Sequence, residues 1–148
     1  MHIWVDGDAC PRAIKDILFR AAARTKTPLT LVSNHPLLAP ASPFIKRWQV
    51  GTGLDSVDHY ITEQLSPGDL IITADIPFAD AAVSKAAIAL NPRGELYTHQ
   101  NIKQHLAQRN RNELLRGSNL LRGGPAPLSA QEIQLFANQL DKLLNQRR

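Results

Sequence analysis

The chain has 148 residues, 43% of them apolar and 20% charged, which fits one compact domain, residues 1–148, and excludes a disordered chain. No apolar run approaches the roughly 20 residues of a membrane helix, and the N-terminus lacks the pattern of an export signal, so we expect a cytoplasmic protein without a membrane partner. The formal net charge is +4, with eight Lys/Arg against nine Asp/Glu in residues 1–90 and nine against four in residues 91–148. This downstream basic surplus fits a polyanionic partner and a solvated basic face equally well.

The first fifty residues predict three strands, one helix and one irregular segment. Residues 2–6 (HIWVD) are short, apolar and end on a polar residue, as buried strands do. Pro11 fits the first turn of a helix, and apolar residues follow it at helical spacing. Residues 29–33 predict a second strand, and residues 45–50 a short third one. Between these two strands, the prolines of residues 35–43 exclude regular structure.

The middle of the chain continues the alternation of helices and strands. A helix is predicted over residues 55–65. Residues 70–73 (LIIT) have the clearest strand pattern in the chain, because they are apolar, β-branched and preceded by a turn. A proline then opens the next helix, residues 77–86, and residues 87–90 (AIAL) predict a further strand.

The last third of the chain predicts helix with one irregular part. Segment 98–123 is polar and basic with irregular apolar spacing, so we expect part helix and part loop. Ser129 and Glu132 have the spacing of a capping box, which indicates the start of the final helix. Leu128 and Ile133 occupy the two positions of a hydrophobic staple at the same helix start.

Strands alternating with helices predict an α/β fold with three layers. The sheet is expected to be mostly parallel, with helices on both faces, because short apolar strands are typical of sheets covered on both sides. In such sheets ligands bind at the carboxyl ends of the strands.

Three aspartates follow two of the predicted strands. Asp6 and Asp8 are two residues apart, so extended backbone sends both side chains to the same face, about 7 Å apart between α-carbons. Gly7 between them adds no side chain that would crowd a ligand. If the strand before Asp75 is a parallel neighbour about 5 Å away, the three carboxylates converge. Their repulsion favours a hard divalent cation, magnesium or manganese, with Asp6 and Asp75 as the catalytic metal ligands and Asp8 in support.

Other acidic residues have additional or simpler interpretations. Asp69 opens the strand that Asp75 closes, about 20 Å away, so we expect it to serve only the turn at residues 67–68. Asp55 is either a helix cap, with Asp58 in the first turn, or a further metal ligand that follows a flexible segment.

Cys10 and the histidines give little sign of a second site. Cys10 is either a thiol activated at a helix N-terminus or a small buried residue, and we favour the second because no histidine lies nearby in sequence. The histidines lack zinc-binding spacing. A basic surface beside carboxylates suits nucleic acid, although single arginines are more often solvated. The candidates for phosphate contacts are Arg93, Lys103, Arg109, Arg111, Arg116 and Arg122.

Several segments together resemble a known family over nearly the whole chain and in the same order. The segments are "IWVDGDACP", "IKDILFRAA", "GDLIITADIP", "ALNPRGELYT", "RGGP" and "FANQLDKLL". They are similar to the YaiI/YqxD family of small bacterial proteins, which has no established activity and is grouped with PIN-like and NYN-type nuclease domains.

The resemblance implies a parallel-sheet nuclease fold in which acidic residues at strand ends hold magnesium or manganese and RNA is cleaved by metal-activated water. Carried over to this chain, these acids are Asp6, Asp55 and Asp75, with Asp8 supporting the first. The fourth acidic position of active PIN domains has no clear counterpart, and after "ALNPRG" the chain offers only Glu95.

Three functional hypotheses remain at this point. The leading one is a metal-dependent nuclease that acts on RNA. The second is a phosphatase of the haloacid-dehalogenase type, in which Asp6 is the nucleophile of an Asp-x-Asp pair. The third is a non-catalytic RNA-binding protein, for which binding depends steeply on salt and no cleavage occurs.

Overall fold

The computed structural model describes residues 1–51, 56–117 and 127–146, and within these ranges the chain forms six strands and five helices. The strands are β1 (Ile3–Asp6), β2 (Leu29–Ser33), β3 (Ile45–Gln49), β4 (Leu70–Ile72), β5 (Ile88–Leu90) and β6 (Leu96–Tyr97). The helices are α1 (Arg12–Thr25), α2 (Ser56–Gln64), α3 (Ile76–Ser84), α4 (His99–Gly117) and α5 (Ala130–Gln146). The predicted strands and helices are confirmed, and β6 is an addition to them.

The strands form one sheet in the order β3-β2-β1-β4-β5-β6. The first five are mutually parallel, and β6 pairs antiparallel with β5. The chain starts at β1, builds outwards to β2 and β3, and then returns to the other side of β1 with β4. The strand order therefore reverses between β1 and β4, which is where open α/β sheets bind their ligands.

Helices cover both faces of the sheet, which confirms the predicted three-layer α/β fold. Because side chains alternate along a strand, Ile3 and Val5 face one side and Trp4 the other. On the first side they join a buried cluster with residues of α1 and α5, among them Phe136. On the second side Trp4 joins residues of α2, α3 and α4, among them Ile102.

The start of α5 is stabilised by both predicted devices. Ser129 Oγ accepts from the Glu132 amide at 3.1 Å, and Glu132 Oε1 accepts from the Ser129 amide at 3.0 Å, which completes a capping box. Leu128 and Ile133 both pack against the core from the positions of a hydrophobic staple. In the segment 98–123, predicted as part helix and part loop, residues 99–117 form one continuous helix, and residues 118–123 lie outside the described residues.

The amino edge of the sheet is closed by Asp69, which is only 7% exposed. Its carboxylate accepts from the Ser66 amide at 3.0 Å, which confirms the predicted role in the turn before β4. It also accepts from the His2 amide at 3.0 Å and the Trp4 indole at 3.2 Å, so it joins β1 to β4 as well. None of the helices in the described parts of the chain is long and apolar enough to cross a membrane.

Candidate functional site

The carboxyl edge of the sheet carries a row of polar side chains beside the reversal of strand order. The registers of β1 with β4 and of β4 with β5 place Asp6, Thr73 and Asn91 level with one another, just beyond the last paired positions. The Thr73 amide donates to the Leu90 carbonyl at 3.1 Å, which continues the pairing at this level. Since Trp4 faces α2, α3 and α4, alternation places Asp6 on the same side.

Asp6 is the most constrained carboxylate of this edge. It is partly buried at the end of β1, and its carboxylate accepts from the backbone N–H groups of Ala9 and Asp8. Burial raises the pKa of Asp6 above its ordinary value, and the negative charges of Asp8 and Asp75 raise it further. The two N–H donors oppose this rise without cancelling it. The structure therefore brings Asp6 within electrostatic reach of both other predicted ligands.

Asp8 joins the end of β1 to the loop that follows β2. Its Oδ2 accepts from the Asn34 amide at 2.6 Å, and its Oδ1 lies 3.3 Å from His35 Nδ1. The Asp8 side chain remains 25% exposed. It therefore has a structural role, holding the start of the proline-rich loop, and its role as a ligand stays a prediction.

Asp75 caps α3. Its Oδ1 accepts from the Phe78 amide at 3.0 Å, and its own amide donates to Thr73 Oγ1 at 3.0 Å. Asp75 is exposed, whereas Thr73 is only 2% exposed. These two bonds fix the carboxylate at the carboxyl edge, immediately beyond β4 and next to β1.

Two further polar groups of this edge were not predicted. Asn91 Nδ2 donates to the Tyr97 hydroxyl at 2.7 Å. Burial raises the pKa of Tyr97 above its ordinary value, and the charges of Glu95 and Asp75 raise it further, so the hydroxyl lies within electrostatic reach of the acidic edge. Asn91 follows a predicted strand directly, so its position was available from the sequence. Tyr97 was not, because its place depends on the unpredicted strand β6.

The donor set of this edge fits a magnesium or manganese ion only if water and substrate complete the shell. Among the residues that the structure describes, no three His, Cys, Asp or Glu side chains lie close enough together to hold an ion. The expected convergence of Asp6, Asp8 and Asp75 on one point is therefore not met within this part of the chain. Mg²⁺ often uses one or two carboxylates with several waters, and Asp6 with one neighbour would supply that set. Asp55 lies outside the described residues.

Among the predicted phosphate contacts, Arg93 has a different role. Its guanidinium donates to Glu132 Oε1 at 2.8 Å, so it ties the loop after β5 to the start of α5. Lys103 is exposed on α4. Arg109, Arg111 and Arg116 belong to the same helix, but their side chains are not described, and Arg122 lies outside the described residues.

Gly7 and Cys10 both serve packing. A Cβ added at Gly7 would lie 2.8 Å from Leu37 Cδ1 and 2.9 Å from Leu31 Cδ1, so the missing side chain makes room for two leucines. The expectation that it makes room for a ligand is wrong for that side of the backbone. Cys10 is buried, and burial raises its pKa to about 12, which confirms the buried, inert interpretation.

Together these features define an α/β protein with an acidic site at the carboxyl edge of a mostly parallel sheet. A family model described as "Uncharacterized BCR, YaiI/YqxD family" matches residues 4–146. The chain belongs to this family, as the resemblance indicated.

Two relatives agree with this assignment. The chain is 54% identical over 144 residues to a UPF0178 protein of Shewanella amazonensis, covering 97% of each chain. It is also 54% identical to a UPF0178 protein of Aeromonas hydrophila, over 97% of this chain and 96% of that one. The crystal structure of Rae1 (YacP) from Bacillus subtilis is similar at a TM-score of 0.43 and 12% identity, with all of both chains covered.

Proposed function

We propose that this protein is a metal-dependent phosphodiesterase of the PIN-like type that hydrolyses RNA. The observation that carries the proposal is the position of Asp6, a partly buried carboxylate at the point where the strand order reverses, facing the charges of Asp8 and Asp75. Like charges held this way disfavour ionisation of the bare protein, and a divalent cation removes that penalty.

The carboxylates divide into two roles under this proposal. Asp6 and Asp75 are the catalytic ligands of magnesium or manganese, water molecules complete the shell, and Asp8 and Asp55 orient those waters. When bound, the cation lowers the pKa of a water molecule and offsets the charge that develops on the phosphate. The hydrogen bond from the Phe78 amide holds Asp75 in place before substrate arrives, which lowers the cost of assembling the site.

Neutral polar groups at the same edge suit a phosphate or a water molecule. The Tyr97 hydroxyl accepts from Asn91 and keeps its own proton to donate. Its raised pKa keeps that proton in place at neutral pH. We assign Tyr97 and Asn91 to the orientation of a phosphate oxygen beside the carboxylates.

The RNA backbone is assigned to the basic surplus downstream of residue 90. Lys103 is exposed on α4, and Arg109, Arg116 and Arg122 are proposed as further contacts. Binding through such residues releases counter-ions, so affinity should fall steeply as salt rises.

The test is cleavage of mixed single-stranded RNA in manganese by the wild type, Asp6→Asn and Asp75→Asn. We expect each variant to lose at least about 100-fold in rate, since even the outer partners of metal ligands cost 10- to 100-fold. Asp80→Asn, which removes the same charge from a half-buried position on α3, is the matched control and should cleave like the wild type.

Three results would contradict the nuclease proposal. Equal rates for the wild type and Asp6→Asn would remove the carboxylates from the reaction. Salt-dependent RNA binding without cleavage at any metal concentration would indicate a binding protein. A phosphoryl adduct on Asp6, detected by mass, would indicate a phosphatase instead.

A further inference from the structure

Trp48 is a large apolar side chain on the surface of an edge strand. It lies in β3 and is 51% exposed, whereas the other tryptophan, Trp4, is 7% exposed. Burying an aromatic ring is worth several times the energy of burying a methyl group, so a ring left half in water indicates a use other than core packing.

The Trp48 ring is held in a fixed orientation. It stacks on Tyr60 of α2 with centroids 5.4 Å apart and planes inclined by 9°. Tyr60 in turn meets Trp4 edge-on at 6.3 Å, and Trp4 stacks on His2 at 4.1 Å. One face of Trp48 is thus anchored to a chain of rings that leads into the core, and little side-chain freedom remains to be lost on binding.

Trp48 lies level with the acidic edge and on the same side of the sheet. Asp6 pairs in register with Val32, and Val32 pairs with Trp48. Side chains at paired positions of parallel strands leave the same face, and two strand spacings separate the α-carbons of Asp6 and Trp48 by about 10 Å. Val32, which lies between them, is fully buried, so a ligand that joins Asp6 to the indole ring passes over the carboxyl end of β2.

Positive charge accompanies the exposed ring. Lys46 is exposed and lies two residues before Trp48, so its side chain leaves the same face of β3. Arg47 is exposed on the other face, where its guanidinium donates to the Leu37 carbonyl at 2.8 Å. A rigid aromatic surface beside a cation is the combination that binds unpaired bases together with their phosphates.

We propose that Trp48 stacks on an unpaired base of a single-stranded polynucleotide, with Lys46 at the adjoining phosphate. This inference rests on the proposed function for placing the cleaved phosphate at Asp6. It adds that the substrate is single-stranded next to the cleavage point, because a base inside a duplex has no free face to offer.

The test is binding of a short single-stranded oligouridylate and of an RNA duplex of equal length, with EDTA present so that no cleavage occurs. Trp48→Leu should weaken single-strand binding by roughly 5- to 100-fold, the range measured for the loss of one stacked base. Trp48→Phe should retain most of the affinity, and duplex binding should be unchanged in both variants. Leu135→Ala, at a residue 47% exposed on α5, is the matched control and should bind like the wild type.

Fluorescence gives an independent readout, since the chain has two tryptophans and one of them is buried. Saturating oligouridylate should quench the emission of Trp48, and the residual emission of Trp4 should report an unchanged core. The same Trp4 signal, with the melting temperature, verifies that Trp48→Leu is folded.

Two outcomes would overturn the base-stacking proposal. One is single-strand affinity that is equal in the wild type and Trp48→Leu. The other is Trp48 quenching that depends on protein concentration alone, with dimers in sedimentation, which would assign the ring to contact with a second copy. Trp48-dependent binding without cleavage in manganese would refute the nuclease proposal alone, and cleavage together with the first of these outcomes would refute the stacking alone.

Discussion

The pair of central strands β1 and β4 carries aspartates at both of its ends, and the partners of these aspartates differ between the two ends. At the amino edge, Asp69 is 7% exposed and accepts from the amides of His2 and Ser66 and from the Trp4 indole. At the carboxyl edge, Asp6 accepts from two backbone amides but also faces the charges of Asp8 and Asp75.

The partners of a carboxylate, more than its burial, therefore distinguish a structural role from a functional one. Three N–H donors hydrogen-bond the buried carboxylate of Asp69, and a polar group satisfied in this way has a structural role. Burial and the like charges of Asp8 and Asp75 leave the ionised form of Asp6 at a disadvantage, which a cation relieves. The same residue type on the same two strands thus supports the fold at one edge and suits a ligand at the other.

Removing the Asp69 carboxylate, which joins β1 to β4 at the amino edge, should have the largest effect on stability. Asp69→Ala leaves three N–H donors without their acceptor, one of them buried and two part-buried, so we expect a loss of about 3 kcal/mol in the free energy of unfolding. Urea denaturation measures it. Asp80→Ala, on α3, is the control and should stay within about 0.5 kcal/mol of the wild type. A loss at Asp69 no larger than this control would mean that the three bonds carry no net energy.

The sequence located both aspartates correctly but not all of their partners. Strand length alone placed Asp69 at the edge opposite Asp75, and the turn it serves was visible as Pro67–Gly68. The indole of Trp4 is 65 residues away in the chain, so its bond to Asp69 depends on β1 and β4 being neighbours. Strand order is a tertiary property that local patterns do not contain.

At the carboxyl edge, too, the sequence located the residues but not all of their partners. Local patterns predict that Asp6, Asp8 and Asp75 follow strands, and the structure places them at one edge. The bond from Arg93 to Glu132 joins two elements 39 residues apart, so the basic residue that seemed free for phosphate is engaged with the capping box of α5. An argument from composition counts every cation as available, because composition carries no information about hydrogen-bond partners.

The loops beside the two edges also differ in how tightly they are packed, and replacing one glycine in each loop by alanine tests that difference. Gly94 has a φ of +98°, and an added Cβ would lie 2.7 Å from Leu135 Cγ and 2.8 Å from the Phe136 amide nitrogen. Gly68 before β4 has a φ of +87°, with nothing within 4 Å of an added Cβ. We expect Gly94→Ala to cost about 3 kcal/mol and Gly68→Ala about 1 kcal/mol in unfolding free energy, because only the first adds a collision with backbone.

Thermal and urea unfolding of the two variants give the comparison directly. The difference between their losses of unfolding free energy isolates the packing of the loop after β5 against α5, since a left-handed backbone destabilises both variants by a similar amount. Equal losses would indicate that α5 moves aside freely, and the carboxyl edge would then lack the rigid support that a preorganised site needs.

The smallest expected change is in the pH dependence of stability when Asp6 is replaced by Asn, because part of this carboxylate's charge is screened by water. A raised folded-state pKa means that native Asp6 is costly when ionised, so in EDTA at neutral pH Asp6→Asn should be more stable than the wild type. As pH falls through the folded pKa, native Asp6 takes up a proton before the unfolded chain does, and the advantage of the variant should vanish near the ordinary value of about 3.9.

Manganese should stabilise the wild type and not the variant, since only the ionised carboxylate binds it. Melting curves from pH 4 to 8, with and without manganese and with Asp80→Asn as the control, measure both effects. A variant that is less stable than the wild type in EDTA at neutral pH would place Asp6 with Asp69, as a structural joint.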